Sequence, residues 1–579
     1  MVGYLKAKKF SLVIALLMIF TLLASMWGVY NISIQDGVMF TIDEKGGAVE
    51  KAFYYGSGNI NPCVSGVGLI HGSLYGYLLF FFFCVYFVLG KLYGLFSSTA
   101  DFAIQFYKDP WAFYLIARYF SGITACLTVL FLYKAAKLFF NDNGKATICA
   151  SLLAFNFLFI QFAHIAKPDI PQTFLITVSL YFIIKAYQSN IRKNWLFATL
   201  CCSLAICTKM NSIVILLPLL LANIFSYYKE KTLLSVYIKD IFAPQVIVLV
   251  LSYLLLTPFI VFDFNTCFGT VIEQLNAGFK NAVAPAYFQR GGFFYLVEVL
   301  NESLGTPLFL LSLVGIIVSF LQKNKEGMIL SSFPLVYFLI IGNSIYLDPN
   351  YILLTFPFLM ILSVYSLYMF ISYMNKKENQ ILALGIMVFI IVFPQILSMY
   401  SFNKKISGES TYFAAKKWVE GNLSQGSVIL MDKLNSPNLA QNLENVTQTI
   451  LKGSRDVGHL KGNSLTYRLK ALPSKTYDIR LMKIDYSGQE DVYIDGIEEL
   501  TVANLKSAGI QFIILAGLNS LVYKVYDPHY LYNVPKYKET LKKSSVFFRE
   551  IEEKGTLLKI FNEKEPELFG ATVKIFQIR

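Results

Sequence analysis

Phe10–Tyr30 reads FSLVIALLMIFTLLASMWGVY, an apolar run without a charge. Its length suits the roughly 20 residues that carry a helix across a hydrocarbon core. Lys6, Lys8 and Lys9 precede it, as in a secretory signal. The run is too long for one, and no small-residue cleavage site follows before Asp36, so it reads as a retained span. Working outward, apolar stretches recur near 74–96, 113–133, 146–163, 172–187, 195–208, 212–226, 241–262, 304–321, 328–342, 351–373 and 380–399.

The composition agrees. Of 579 residues, 55% are hydrophobic, 16% aromatic and only 15% charged, where a soluble chain carries about 25% charged residues. The net charge of +13 sits largely in short loops between apolar stretches, which is a mark of topology and not of nucleic-acid binding.

Those loops fix the sidedness. Lys6, Lys8 and Lys9 place the N-terminus in the cytoplasm by the positive-inside rule. Lys134/Lys137/Lys145, Arg192/Lys193, Lys229/Lys231/Lys239, Lys323/Lys325 and Lys376/Lys377 mark one common side. They share the N-terminal side only if one stretch before Lys134 does not cross. Leu74–Phe96, interrupted by Gly90-Lys91 and rich in Phe and Tyr, reads as a helix in the interface. The expected fold is a polytopic α-helical membrane protein with about eleven crossings, residues 31–112 forming one large external loop. Residues 401–579 form a second, extracytoplasmic domain. Strand-like runs at 427–431 and 510–515 follow helix-like segments at 410–422 and 499–508, which argues for an α/β layer structure. Gly453 and Gly458 fit no nucleotide-phosphate fingerprint.

On this topology polar groups gather on the external side. They include Asp43-Glu44 in Met39-Phe40-Thr41-Ile42-Asp43-Glu44-Lys45, the Lys167-Pro168-Asp169 turn, Lys209, and the 263–303 loop with Glu273 and Arg290. Two adjacent carboxylates at a membrane boundary can hold a hydroxyl or amine and take its proton. A solvated acidic pair at a helix end, and snorkelling anchors for the other charges, are the plainer readings of each alone. Pro168 and Pro171 stop a helix and hold Asp169 at the membrane face. Cys63 and Cys267 are the cysteines in loops on one side, so a disulfide between them is compatible with the topology, although no spacing pattern demands it. The four histidines show no zinc spacing.

The run Ala163-His164-Ile165-Ala166-Lys167-Pro168-Asp169-Ile170-Pro171 resembles a segment of bacterial members of the dolichyl-phosphate-mannose:protein mannosyltransferase superfamily, polytopic GT-C glycosyltransferases of the family-39 type. Other pieces agree in order. Asp43-Glu44 resembles the acidic motif of the first external loop, and Asp109-Pro110 with Tyr114-Leu115-Ile116-Ala117-Arg118 the approach to the second span. Leu204-Ala205-Ile206-Cys207-Thr208-Lys209 resembles a GLA-x-x-TK segment, Pro357 sits in a P-F-L span, and Phe569–Phe576 resembles the closing strand. Ser203 stands where the family often has Gly, and Asp348-Pro349-Asn350-Tyr351 where it often carries Arg.

The resemblance implies transfer of a sugar from a polyprenyl-phosphate-sugar donor to a glycan, lipid or protein acceptor outside the cytoplasmic membrane. Asp43 would be the general base, with Glu44 or Asp169 orienting it or tuning its pKa. His164, Lys167, Lys209, Arg290 and Arg118 would hold the donor phosphate or substrate. No cofactor is required, although the acidic pair can hold a divalent metal, as in some GT-C relatives. A single displacement inverts the anomeric centre. The alternatives are a transporter or flippase for a lipid-linked glycan, which would favour internal repeats and midplane polar groups, and a non-catalytic membrane scaffold.

Overall fold

The computed structural model describes residues 2–35, 44, 48–64, 72–231, 233–279, 292–344, 347–432, 436–452, 465–484, 492–516, 538–562 and 568–578. Every described regular element before Glu409 is helical, and the described strands all follow. By length and composition eight described helices can cross a membrane, or ten if each of two bent pairs forms one span. The chain is a multi-pass membrane protein.

This accords with a polytopic helical fold, and further apolar helices form where the sequence places them. Helices Arg192–Thr208 and Lys325–Ile341 form where expected, with 17 residues each, at the short end of what crosses a hydrocarbon core. Leu74–Leu92 is one continuous 19-residue apolar helix, and the helix that follows it packs Phe102 and Phe106 on Phe53, in the segment that precedes it. Gly90-Lys91 does not interrupt it: the chain folds back just beyond, and the Phe96 ring lies where a Cβ on Gly90 would stand, 2.4 Å away. This helix packs Tyr75, Leu79 and Phe83 against Phe113, Tyr114 and Ala117 of helix Trp111–Phe140.

Pro349–Ser372 is the helical segment most enclosed by its neighbours. Gly315 lets helix Thr306–Leu321 approach it, since a Cβ there would meet the Leu362 carbonyl oxygen at 2.1 Å. Small residues at such crossings are how membrane helices gain close packing. Ser363 and Ser366 add hydroxyl bonds to the Leu308 and Leu311 carbonyls. The expected third span is broken between Asn143–Ala154 and Phe157–Ala163, bent by 59°. Asn156 makes the break, because its Oδ1 caps Phe159 N–H and its Nδ2 donates to Ser303 O at 2.8 Å.

The C-terminal region is an α/β layer domain, as read. Its strands are β1 (Glu409–Ser410), β2 (Val428–Asp432), β3 (Asp478–Ile484), β4 (Val492–Ile494), β5 (Phe512–Leu515), β6 (Thr556–Phe561), β7 (Leu568–Phe569) and β8 (Val573–Gln577). Six form one mixed sheet in the order β4-β3-β2-β5-β8-β6, with β2 parallel to β3 and β5. Side chains alternate between two cores. Leu430, Ile513 and Phe576 meet Phe547, Phe548 and Ile551, while Ile429, Ile514 and Ile575 meet Ala415 and Val419 of helix Thr411–Asn422.

Two joints fix this domain to the helices. Gln35, just past the first span, accepts from Ser410 N–H at 2.7 Å and donates to Gly408 O at 3.0 Å. Arg468 donates to the Tyr54 hydroxyl at 3.0 Å and lies over the Tyr107 ring at 5.0 Å. That cation holds Tyr54 less firmly than burial counters it: burial, with Glu50 nearby, pushes the phenol well above its usual pKa.

Candidate functional site

The Lys167-Pro168-Asp169 turn joins two helices as expected, with one change of role. Pro171 does not stop a helix; it lies in the first turn of Asp169–Ser189, where a missing N–H costs nothing. Asp169 opens that helix, where the macrodipole favours a carboxylate. Lys209 follows the end of helix Arg192–Thr208 and donates to Asp169 Oδ1 at 2.7 Å. Asn350 Nδ2 reaches the same oxygen at 2.9 Å. The Lys209 ammonium also lies over the Tyr351 ring, 5.1 Å from its centroid. Thus the Asp348–Tyr351 stretch supplies an amide and an aromatic face to this pair. The polar layer continues one turn on, where Gln172 bonds Asn211 and Ser212, and Asn211 bonds the Tyr337 hydroxyl.

Glu44 belongs to a second buried pair. Its carboxylate takes Nε and Nη2 of Arg118 at 3.2 Å each, and Arg118 Nη1 also donates to Ser33 Oγ at 3.0 Å. The two pairs are parts of one site. Glu44 Oε1 also accepts from Ala166 N–H at 2.7 Å, three residues before Asp169 in the turn, and Ser121 Oγ donates to Ile165 O at 2.8 Å. The segment that follows the first span is therefore stitched to the 164–169 turn through Glu44.

The same segment closes over Lys209. Ser73 N–H caps the Cys207 carbonyl at 2.9 Å. Gly72, at φ +61°, lies so close that a Cβ would stand 2.1 Å from that carbonyl oxygen and 2.5 Å from the next; only glycine fits there. Lys51, in helix Glu50–Tyr54, is buried beside it and donates to Gly72 O at 3.3 Å. Burial pushes this ammonium down to about 7. Ser73 Oγ and Asn350 Oδ1 are buried with no hydrogen-bond partner among the described residues. The disulfide Cys63–Cys267, with Cα atoms 4.9 Å apart, ties this segment to helix Phe264–Phe279, and Asn61 Nδ2 bonds Asp263 Oδ2 beside it at 2.7 Å.

Of the residues expected from sequence, the structure brings Glu44, Arg118, Lys167, Asp169 and Lys209 to one end of the helical bundle. Asp43 and Arg290 lie outside the described residues. Both ring nitrogens of His164 face backbone carbonyls, Ile160 O at 2.8 Å and Trp27 O at 3.1 Å, and its ring edge packs on Phe402. It joins helices and presents no nitrogen to a phosphate. Arg118 is fully buried, with Glu44 and Ser33 among its partners. Lys167 is buried at the turn, its N–H bonded to Ile165 O at 2.9 Å. As a metal ligand Glu44 is poorly placed, because Oε1 already accepts two N–H bonds and Oε2 a third. Among the described residues no three His, Cys, Asp or Glu side chains converge.

Sequence reading passed over Lys51, Gly72 and the direct part of Asn350. Glu50-Lys51 is a lone charged pair in an aromatic stretch, which is the signal that was available.

Residues 111–262 match the family described as dolichyl-phosphate-mannose-protein mannosyltransferase. An uncharacterized protein of Aquifex aeolicus (strain VF5) is 32% identical over 94 residues, which is 16% of this chain and 18% of that relative. The match thus spans under a fifth of the relative's length. Among solved structures, Cupriavidus metallidurans ArnT bound to undecaprenyl phosphate aligns with TM-score 0.48 and 12% identity, covering 96% of this chain and 97% of that one. The Archaeoglobus fulgidus oligosaccharyltransferase in its apo form aligns with TM-score 0.46 and 12% identity, covering 89% and 70%. The resemblance to the dolichyl-phosphate-mannose-protein mannosyltransferases thus holds over residues 111–262, the stretch that carries Arg118, Asp169 and Lys209.

Proposed function

We propose that the chain is a membrane glycosyltransferase moving a sugar from a polyprenyl-phosphate-sugar donor to an acceptor on the external face of the cytoplasmic membrane. The observation that carries this reading is the Glu44–Ala166 bond at 2.7 Å. It draws the carboxylate next in sequence to Asp43 onto the turn that leads into Asp169 and Lys209. A base and a cation cluster at one end of the bundle are what such a transfer needs.

In this mechanism Asp43 takes the proton of the acceptor hydroxyl or amine as its lone pair attacks the anomeric carbon. The bond from that carbon to the phosphate oxygen breaks, and its electron pair stays on the phosphate. Lys209 stabilises the charge gathering there, with Lys51, Lys167 and Arg290 as the other cations of the external side. Asp169 and Asn350 hold Lys209 in place, and Arg118 holds Glu44. Attack from the face opposite the leaving group inverts the anomeric centre. The buried acceptor Asn350 Oδ1 and the Ser73 hydroxyl suit sugar hydroxyls or the protonated phosphate edge. The Cys63–Cys267 bridge supports the external placement, since disulfides persist outside the reducing cytoplasm.

The test is transfer of labelled sugar in membranes from a panel of polyprenyl-phosphate donors, undecaprenyl phosphate first, with wild type beside Asp43→Asn. Transfer by wild type and a loss of about 10²–10⁴-fold in the variant is expected for removal of a general base. Equal activity moves the base to Glu44 or Asp169. Label that crosses the membrane without transfer sinks the enzyme reading and favours a transporter.

A further inference from the structure

Helix Phe264–Phe279 has 16 residues and follows the end of the span Leu234–Leu256. At 1.5 Å per residue it reaches about 24 Å, less than the hydrocarbon core. Its apolar residues nonetheless form a continuous stripe. Phe264, Phe268, Ile272, Leu275 and Phe279 are each 40–54% exposed, and at roughly 100° per residue they share an arc of about 80°. Phe264 and Phe268 stack along it, ring centroids 5.2 Å apart. Cys267 and Val271 lie on the flank of that arc and are buried, at 0% and 7% exposed. They pack with Cys63, Met210, Phe259 and Ile260. Thr266 and Glu273 occupy the opposite arc and are exposed.

The helix therefore has three faces: one docked on the protein through the disulfide, one polar, and one apolar and uncovered. The uncovered face continues the exposed apolar surface of the preceding candidate span. Leu251 and Leu255 at the end of the preceding span, then Val261 and Phe262, are 62–79% exposed. The next described helix, Gly292–Leu304, is bent 115° from Thr306–Leu321, and its Phe294 is 96% exposed.

We propose that Phe264–Phe279 is an interfacial membrane helix. Its Phe264/Phe268/Ile272/Leu275/Phe279 face inserts into the acyl layer of the bilayer that the spans cross, and the Cys63–Cys267 bridge pins its inner flank to the first external loop. A short helix with one apolar arc and one polar arc lies in the interface plane on these terms. The first loop, and Lys51 with it, is then held at a fixed depth relative to lipid. A second protein would also cover such a stripe, but its continuity with the lipid-facing end of Leu234–Leu256 favours lipid.

The full chain, reconstituted in phosphatidylethanolamine/phosphatidylglycerol vesicles, tests this with an environment-sensitive fluorescent amino acid in place of Phe268, Ile272, Thr266 or Glu273, one at a time. Retention of the Cys63–Cys267 bridge on a non-reducing gel reports that each variant is folded. With dibrominated acyl chains, fluorophores at 268 and 272 should lose most of their emission, while those at 266 and 273 lose little. Quenching no greater at 268 and 272 than at 266 and 273 overturns the proposal. The readout is independent of sugar transfer, so it stands or falls apart from the enzymatic reading.

Discussion

Glu44 and Arg118 form a bidentate ion pair sealed from solvent on both sides, with each side chain at 0% exposure. Such a pair need not add net stability, but removing one partner leaves a buried charge without compensation, at about 3–5 kcal/mol. Glu44→Gln should therefore lower the melting temperature sharply in detergent or nanodiscs. Glu44→Met with Arg118→Met should recover much of that loss, because no charge remains to be buried. Additive losses in the double variant would show that the pair is not coupled.

The Asp169–Lys209 pair separates stability from chemistry. Lys209→Ala should reduce transfer by about 10²–10³-fold if the ammonium meets charge developing on the leaving phosphate. Asp169→Asn should also lose activity, since Lys209 loses the contact at 2.7 Å that aims it. Combining Asp169→Asn with Lys209→Met should restore thermal stability without restoring transfer. Recovery of both together would reduce the pair to a structural strut, and the cation would have to be sought at Lys51 or Lys167.

The sequence made part of this site visible because charge is rare in apolar spans: Asp169 and Lys209 stand out for that reason. Their pairing was not visible, nor was Asn350, read only as a departure from a familiar arginine; these contacts join segments far apart in the chain. Gly72 was hidden for the same reason, since its need for glycine comes from the Cys207 and Thr208 carbonyls and from no local turn signal. His164 misled by position: it shares a motif with Asp169, but its ring lies within the helix packing. The α/β pattern after residue 400 was legible, because β2 and β5 are short apolar runs buried on both faces. Helix length was less legible than helix position: Arg192–Thr208 and Lys325–Ile341 have 17 residues each, and Leu74–Leu92 runs on through Gly90-Lys91.

The Cys63–Cys267 bridge closes a sequence separation of 204 residues. Closing a loop that long restrains the unfolded chain, and removing a native bridge typically costs about 2–5 kcal/mol. Cys63→Ser with Cys267→Ser should lower the melting temperature, and reductant should lower that of wild type to the same value while leaving the variant unchanged. Reductant-insensitive melting of wild type would mean that the bridge does not form in the membrane-embedded protein.

Lys51 gives the chain a stability that rises with pH. Its folded pKa, pushed down to about 7 by burial, lies below the unfolded 10.5. Below pH 7 both states carry the proton, and the folded state bears the cost of a buried ammonium. Between about 7 and 10.5 the unfolded chain binds more protons than the folded one, so stability climbs through that window and levels off above it. Lys51→Met keeps the stem and removes the titration. Melting temperatures measured from pH 6 to 10 should rise for wild type relative to Lys51→Met, with the two curves furthest apart at low pH. Parallel curves across the range would show that a neighbouring anion keeps Lys51 charged in the folded protein, and the ammonium would then be a permanent cation beside Gly72.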